Sequence, residues 1–141
     1  MICGIGIDSV DIARFNDWSD YPPKKLLKIF SGHEIDYCLK NPKKSAERFS
    51  ARFAAREAFF KAFCSMKPNH KIPFLTVCKS IWLESKKGHP PQMHVDWHAL
   101  SVDCAPKVWI SITHTGALAT VIAIIETSQH TPLTKESKPR Y

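Results

Sequence analysis

The sequence predicts an α+β fold in which an antiparallel sheet packs against one long central helix. An apolar, strand-like segment covers residues 2–10. A helical segment without Gly or Pro covers residues 44–64, and several strand-like segments follow between residues 74 and 126. The order of strand, helices and then successive strands is typical of α+β domains. A chain of 141 residues with 44% hydrophobic residues fits one domain with a substantial core.

The first strand is predicted for residues 2–10, ICGIGIDSV. Gly4 and Gly6 alternate with isoleucines, and glycine within a strand indicates that another part of the backbone approaches closely. Asp11 follows the strand and is expected to cap a short helix that runs toward Trp18.

Two more helices are predicted before the long one. The double proline at 22–23 ends the first short helix and can open another that runs through Phe30. Ser31 and Glu34 have the spacing of a capping box, which predicts a helix over residues 32–40.

The strongest helical signal is the segment 44–64, which is rich in Ala, Glu, Arg and Lys. On a helical wheel, one face carries Phe49, Phe53, Phe60 and Phe63, and another carries Ala51, Ala54, Ala55, Ala58 and Ala62. Glu57 and Lys61 lie between these faces. A helix this apolar is expected to be largely buried, where a carboxylate costs several kcal/mol unless it is paired or binds a cation. An ordinary i,i+4 pair between Glu57 and Lys61 is the alternative.

The rest of the chain is predicted to consist mainly of strands. Pro68 and Pro73 bracket a loop. Strands are expected at residues 74–84, 92–97, 107–114 and 118–126, the last two as a hairpin, with residues 98–104 left unassigned. We expect one domain over residues 1–127 and a frayed polar tail over residues 128–141.

Composition narrows the class of protein. The net charge of +7 favours an acidic partner, such as a phosphorylated cofactor, an acidic protein, an anionic lipid or a nucleic acid. The five cysteines form no CxxC pair and are expected to be free thiols that pack as small hydrophobic residues.

The sequence has no apolar run of about 18 residues and no signal-peptide pattern at its start, so a soluble cytoplasmic protein without a membrane role is expected.

Two acidic residues stand in unusually apolar surroundings. Asp8 lies at the end of the apolar part of the first strand, and Glu57 lies in the buried helix. Together they could hold a divalent cation, and Mg²⁺ commonly takes one or two carboxylates together with substrate phosphates and water. For Asp8 the alternative is a cap or turn residue.

Several basic residues could accompany such a site. Arg52, Arg56 and Lys61 would suit a phosphate or pyrophosphate, or could simply be solvated and paired with Glu47 and Glu57. His114 follows a clean strand and precedes Thr115, so it could bind phosphate or close a hairpin. His94 and His98 have HxxxH spacing, but they span a strand-like segment without an acidic third ligand, which disfavours zinc.

Three segments together resemble the holo-acyl-carrier-protein synthase family of 4'-phosphopantetheinyl transferases. They are GIGIDSVDIARF at 4–15, ERFSARFAAREAFFKAF at 47–63 and WISITHTGALATVIAIIE at 109–126. They occur in the order and spacing of that family and extend over most of the chain up to residue 126. The resemblance implies the phosphopantetheinyl transferase fold, and Mg²⁺-dependent transfer of 4'-phosphopantetheine from coenzyme A to a serine of acyl carrier protein, in fatty acid biosynthesis.

The resemblance also implies roles for single residues. Asp8 and Glu57 match the magnesium ligands, and Lys61 matches a lysine near the coenzyme A pyrophosphate. Arg14 matches a residue that contacts the acidic carrier protein. Residues that match positions around the coenzyme A nucleotide are Arg52, His114 and Thr115. The family is usually a homotrimer with active sites at subunit boundaries, and no nucleic-acid or membrane partner is implied.

The sequence departs from the family pattern in three places. Ala51 and Arg56 stand where the family often has Gly and Lys. The segment CSMKPNHKIP after the lysine helix lacks the family's glycine-rich loop, so Lys67, His70 and Lys71 could supply charge there in place of backbone amides. The turn KKGHPP at 86–91 resembles a Gly-x-Pro turn of the family.

Two other functions are compatible with the composition. One is a noncatalytic basic module that binds RNA or an acidic protein, but such a module has no reason to place acids in an apolar strand and a buried helix. The other is an inactive homologue of the transferase, suggested by the missing glycines. In the transferase reaction, either Glu57 or a water on the cation could deprotonate the serine.

Overall fold

The computed structural model describes residues 1–128. The predicted polar tail lies almost entirely outside these residues. The described part is α+β, as predicted, with two antiparallel sheets around a long helix. None of its helices is both long and apolar enough to cross a membrane.

Residues 1–128 form five strands and four α-helices. They are, in order, β1 Ile2–Asp11, α1 Pro23–Leu26, α2 Gly32–Leu39, α3 Ser45–Met66, α4 Phe74–Lys79, β2 Ile81–Glu84, β3 Gln92–Val95, β4 Lys107–His114 and β5 Leu118–Glu126. Short 3-10 turns cover Ile12–Phe15, Trp18–Asp20 and Pro42–Lys44. The predicted first strand, the long helix and the hairpin of residues 107–114 and 118–126 are confirmed.

The main sheet has the strand order β1-β5-β4, and both strand pairs are antiparallel. Val121 on the central strand pairs with Asp8 on one side and with Ile112 on the other. The sheet therefore joins the first and last described strands of the chain, and β2 and β3 form a separate two-stranded sheet.

The inner face of the main sheet lies directly on α3. The glycines of β1 make this possible, because a Cβ on Gly4 would overlap the carbonyl oxygen of Ala62, and a Cβ on Gly6 would overlap that of Ala58. The alanine face of α3 is buried against the sheet, as expected from the wheel. This close approach of β1 and α3 brings residues of the two elements into one site.

Segment 74–84 corrects the prediction of a single strand. Its first half is the helix α4, and only Ile81–Glu84 is extended. Pro73 has an extended conformation just before α4, and burial of Val77, Cys78 and Ile81 follows a helical spacing. An apolar run of this length does not distinguish a buried helix from a buried strand, and packing on the core decided between them.

The chain after β1 also differs from expectation. The Asp11 side chain makes no capping hydrogen bond, and the following residues form two 3-10 turns in place of one short helix. By contrast, the capping box at α2 is confirmed. The Ser31 hydroxyl accepts from the Glu34 amide at 3.3 Å, and the Glu34 carboxylate accepts from the Ser31 amide at 2.9 Å.

The outer face of the main sheet is apolar and open to solvent. We call it the outer isoleucine face, and it comprises Ile5, Ile7, Ile122, Ile124 and Trp109. Ile5 and Ile7 are 56% and 59% exposed, and Trp109 is 49% exposed. Within the described chain, therefore, α1 and α2 do not cover this face.

Candidate active site

Asp8 lies on the inner face of the main sheet, where β1 passes over α3. Its neighbours in the inner row of β1 are Gly6, which packs against the α3 backbone, and Val10, which is buried. The strand continues three residues beyond Asp8, so Asp8 is neither a turn nor a cap residue. Its side chain is 14% exposed.

Lys61 reaches across from α3 to β1. Its ammonium group donates to Asp8 Oδ1 at 2.9 Å and to the Ile7 carbonyl oxygen at 2.9 Å. The Lys61 side chain is 51% exposed. The i,i+4 pair with Glu57 was the simplest alternative for this lysine, but in the structure its hydrogen bonds go to β1.

The second carboxylate oxygen of Asp8 is different. Asp8 Oδ2 is buried and has no hydrogen-bond partner among the described residues. An unpartnered buried oxygen is costly, and it is more so on an ionised group. A cation placed on Oδ2 would remove this cost.

Glu57 lies one helical turn before Lys61, on the same side of α3. Partial burial raises the pKa of the Glu57 carboxyl, and the negative charge of Asp8 raises it further, while Lys61 and Arg14 act in the opposite direction. The two carboxylates are thus close enough to repel each other. Such a pair is stabilised by a cation that both can bind.

The residues present suit a hard divalent cation. Asp8 and Glu57 offer oxygen ligands, and Asp8 Oδ2 has no other partner in the described chain. Over residues 1–128, no cluster of three or more His, Cys, Asp or Glu side chains could hold a metal. Two carboxylates without further protein ligands match Mg²⁺, which usually completes its shell with water and substrate phosphates. His94, one of the two histidines with HxxxH spacing, has Glu84 as its partner, with 3.1 Å between His94 Nε2 and Glu84 Oε2.

Arg14 lies beside this carboxylate pair. It is exposed in the 3-10 turn after β1, and its guanidinium carbon is 5.9 Å from the centre of the Phe53 ring on α3. Its charge lowers the pKa of Glu57. The predicted docking residue is therefore next to the predicted metal ligands and faces solvent.

Arg52 lies on another side of α3. It precedes Glu57 by five residues, which turns it about 140° around the helix. Its guanidinium group is 4.2 Å from the Tyr37 ring centre and donates to Ser85 Oγ at 3.2 Å, while its buried Nε has no partner within the described chain. It lines a cavity of about 440 Å³ between α2, α3 and the β2–β3 sheet.

His114 and Thr115 lie at the β4–β5 turn. His114 Nε2 is 3.4 Å from Glu47 Oε1 in the first turn of α3. Glu47 and Glu57 are ten residues apart, which corresponds to about 15 Å along a helix. Thr115 Oγ1 accepts from the backbone amides of Ala117 and Leu118. Within one chain, neither residue joins the Asp8–Glu57–Lys61 cluster.

The buried partner of Arg56 was not foreseen. Its guanidinium group binds both oxygens of Glu34, at 3.0 and 2.6 Å, and both side chains are 1% exposed. Glu34 also accepts from the Leu83 amide at 2.9 Å. Arg56 therefore joins α3 to α2 and β2 and is neither solvated nor paired with Glu47 or Glu57. The capping box at Ser31 and Glu34 was the available signal, but it did not show where the second oxygen points.

The loop after α3 is held to the helix by His70. Its Nε2 lies 3.2 Å from Cys64 Sγ, and its Nδ1 accepts from the Ile72 amide. The adjacent Lys67 donates to the Ser101 carbonyl oxygen at 2.7 Å. A basic loop anchored by side chains thus stands where the family pattern has glycines.

Comparisons with known proteins identify the family of the chain. A family model described as the 4'-phosphopantetheinyl transferase superfamily matches residues 4–113. The holo-[acyl-carrier-protein] synthase of Geotalea daltonii is 46% identical over 130 residues, which cover 89% of this chain and 99% of that protein. The protein of the same name from Treponema pallidum is 33% identical over 129 residues, which cover 89% of this chain and 97% of the relative.

Solved structures share the fold. The acyl carrier protein synthase of Mycobacterium tuberculosis superposes with a TM-score of 0.67 at 23% identity, covering 91% of this chain and all of that chain. A holo-(acyl-carrier-protein) synthase from Bacillus anthracis, in complex with CoA (3',5'-ADP), gives a TM-score of 0.67 at 24% identity, over 91% and 99% of the two chains. At these identities the likeness establishes the fold.

Proposed function

The chain belongs to the 4'-phosphopantetheinyl transferase superfamily, and we propose that it moves the 4'-phosphopantetheine arm of coenzyme A onto a serine of an acyl carrier protein. In this reaction the serine hydroxyl oxygen forms a bond to the β-phosphorus of coenzyme A. The bond between that phosphorus and the bridging oxygen breaks, the serine proton is released, and 3',5'-ADP leaves.

The observation that carries this proposal is the cluster of Asp8, Glu57 and Lys61. Asp8 has a buried oxygen without a partner in the described chain, and Glu57 has a raised pKa next to it. Lys61 places three ammonium donors at the same point. Two oxygen ligands and one cation suit the binding of a pyrophosphate together with Mg²⁺ better than they suit a surface for nucleic acid.

Asp8 and Glu57 would hold the magnesium ion. When bound, Mg²⁺ neutralises charge on the pyrophosphate and so favours departure of the leaving phosphate. Lys61 is close enough to the same point to donate to a phosphate oxygen, where charge develops as the bond breaks. Glu57 is also a candidate base for the serine, and a water on the cation is the alternative.

We assign Arg52, His114 and Thr115 to the nucleotide part of coenzyme A. The buried, partly unpartnered guanidinium group of Arg52 next to a cavity is suited to a phosphate. His114 is exposed at the end of β4, within reach of a ligand on the surface. Because these residues are separated from Asp8 within one chain, a single coenzyme A would contact both groups most readily across a boundary between subunits.

The homotrimer is therefore part of the proposal. The outer isoleucine face is a continuous apolar surface on the strands that carry Asp8 and His114, and a neighbouring subunit would cover it. Contiguous exposed apolar patches of this kind often mark protein interfaces. A trimer with His114 of one chain near Asp8 and Glu57 of the next would explain both the exposed face and the divided site.

Arg14 is proposed to contact the acyl carrier protein. It is exposed, lies next to the carboxylate pair and leaves its charge available to an acidic partner. The net charge of +7 would attract an acidic carrier protein and mainly raise its association rate. By the same family resemblance, we place the reaction in fatty acid biosynthesis in the cytoplasm.

The proposal is tested by identifying both products. The protein is incubated with coenzyme A, Mg²⁺ and an apo-acyl carrier protein, and small molecules are separated by chromatography. We expect 3',5'-ADP in an amount equal to the carrier protein modified, and none when the acceptor serine is replaced by alanine. Absence of 3',5'-ADP from the complete mixture would reject the transferase function.

A further inference from the structure

We infer that Lys61 and a divalent cation compete for Asp8, so that cation binding releases Lys61 toward the substrate phosphate. The inference rests on the proposed function, because it assumes that Asp8 is a metal ligand. It adds that the lysine is the resident counter-ion of the free site, and that metal and phosphate binding are coupled through its movement.

The contacts of Lys61 support its competition with a cation for Asp8. Its ammonium group is shared between Asp8 Oδ1 and the Ile7 carbonyl oxygen, each at 2.9 Å. One of its three donors therefore goes to the carboxylate, and a second goes to the backbone carbonyl that holds the ammonium group in place. A divalent cation on Asp8 would lie within a few ångströms of this ammonium, where like charges repel strongly.

The release of Lys61 is supported by the difference in freedom of movement between the Lys61 and Asp8 side chains. Asp8 is fixed in β1 by its pairing with Val121, and its side chain is 14% exposed. The Lys61 side chain is 51% exposed and has a flexible four-carbon stem. Lys61 can thus leave Asp8 without a change in the fold, whereas Asp8 cannot leave the site.

The position of Glu57 places the proposed cation close to Lys61. It is one turn before Lys61 on the same side of α3, and its charge and that of Asp8 act on each other. A cation between the two carboxylates would repel the ammonium group directly. Because α3 holds its backbone in place, the released lysine would stay within reach of a phosphate bound at this site, and its ammonium donors would be free for a phosphate oxygen.

The test measures Mn²⁺ binding to the metal-stripped full chain without coenzyme A, by the electron paramagnetic resonance signal of free Mn²⁺. Lys61→Met is expected to bind Mn²⁺ about two- to fivefold more tightly than the wild type, because a partly exposed ion pair no longer competes. Lys61→Arg keeps the charge and is expected to bind like the wild type. Lys67→Met removes the charge of a lysine that contacts Ser101 and not Asp8, and it is expected to change nothing.

Affinity in Lys61→Met that is equal to or weaker than in the wild type would overturn the inference, as would no detectable binding by either protein. Asp8→Asn separates this failure from that of the proposed function. If Asp8→Asn binds Mn²⁺ as the wild type does, the cation is not at Asp8 and the proposed metal site is wrong.

A second readout is the ¹⁵N signal of the Lys61 ammonium group, which should lose its protection from exchange when Mg²⁺ is added. Retained protection at saturating Mg²⁺ would also overturn the inference.

Discussion

Gly6 on β1 and Ala58 on α3 are in such close contact that a side chain on Gly6 would overlap the Ala58 carbonyl oxygen. The same Cβ would lie 2.7 Å from the amide nitrogen of Ala62 and 2.9 Å from the Cβ of Lys61. The obstacle is mainly backbone, which cannot move aside cheaply. This contact sets the distance between the strand that carries Asp8 and the helix that carries Glu57 and Lys61.

Gly6→Ala is therefore expected to lower the free energy of unfolding by about 1–3 kcal/mol or more, as overpacking at a rigid contact does. Urea denaturation measures the change. Gly116→Ala is the control, because a Cβ on Gly116 meets nothing within 4 Å and its φ lies outside the positive range. Equal stability of the two variants would show that β1 and α3 can separate without cost.

The buried pair of Glu34 and Arg56 predicts a pH dependence of stability. Burial alone would raise the pKa of Glu34, but the charge and hydrogen bonds of Arg56, with the Ser31 and Leu83 amides, lower it. A lowered pKa in the folded state means that the stabilisation is fully present above the ordinary value of about 4.3, and is lost as the pH falls through the folded-state pKa. We expect the unfolding free energy of the wild type to fall steeply below about pH 4.3.

Glu34→Gln leaves Arg56 charged and buried, so it is expected to cost about 3–5 kcal/mol at neutral pH. It should also remove part of the loss of stability in acid. The measurement is urea denaturation across pH 3–7, with Asp36→Asn, an exposed acid on the same helix, as the control. A Glu34→Gln protein as stable at neutral pH as Asp36→Asn would contradict the structural role of the pair.

The pKa of the Glu57 carboxyl is expected to be raised from the ordinary glutamate value in the metal-free protein. Burial is the main reason, and the charge of Asp8 is the next. Asp8→Asn removes a negative charge and should lower the pKa of Glu57. Carbon-13 NMR of the side-chain carboxyl measures both values. A Glu57 pKa that does not change in Asp8→Asn would mean that the two carboxylates do not share a site.

A mixing experiment tests the sharing of sites between subunits. Glu57→Ala and His114→Ala are each expected to be inactive, because one lacks a proposed metal ligand and the other a nucleotide contact. If the protein is a trimer with divided sites, mixed trimers contain some sites with both residues intact. Activity should therefore return on mixing with subunit exchange. Light scattering gives the mass, and a monomer with full activity would contradict the shared site.

The sequence predicted the parts of the fold in which local signals agree with packing. Segment 44–64 became α3 because its helix propensity and its apolar faces point to the same structure. The capping box of Ser31 likewise placed the start of α2. Segment 74–84 was predicted wrongly, because Val77 and Cys78 are buried by contacts that an apolar run does not specify.

The candidate site was predicted as residue types more than as geometry. Asp8 and Glu57 stood out because acids are costly in apolar elements, and the structure brings their charges within range of each other. That Lys61 binds Asp8 rather than Glu57 depends on the approach of β1 to α3. The Arg56–Glu34 pair depends on the folding of α2 against α3, which no spacing along the chain reveals.

The most direct test of the central claim is the intact mass of an apo-acyl carrier protein after incubation with coenzyme A, Mg²⁺ and each of three proteins. The wild type and Asp36→Asn should add one phosphopantetheine group at similar rates. Asp8→Asn should be at least about 100-fold slower, because the charge on the pyrophosphate is no longer neutralised at that point. Circular dichroism should show that all three proteins are folded. Transfer by Asp8→Asn at the wild-type rate, or no mass increase with the wild type, would contradict the account.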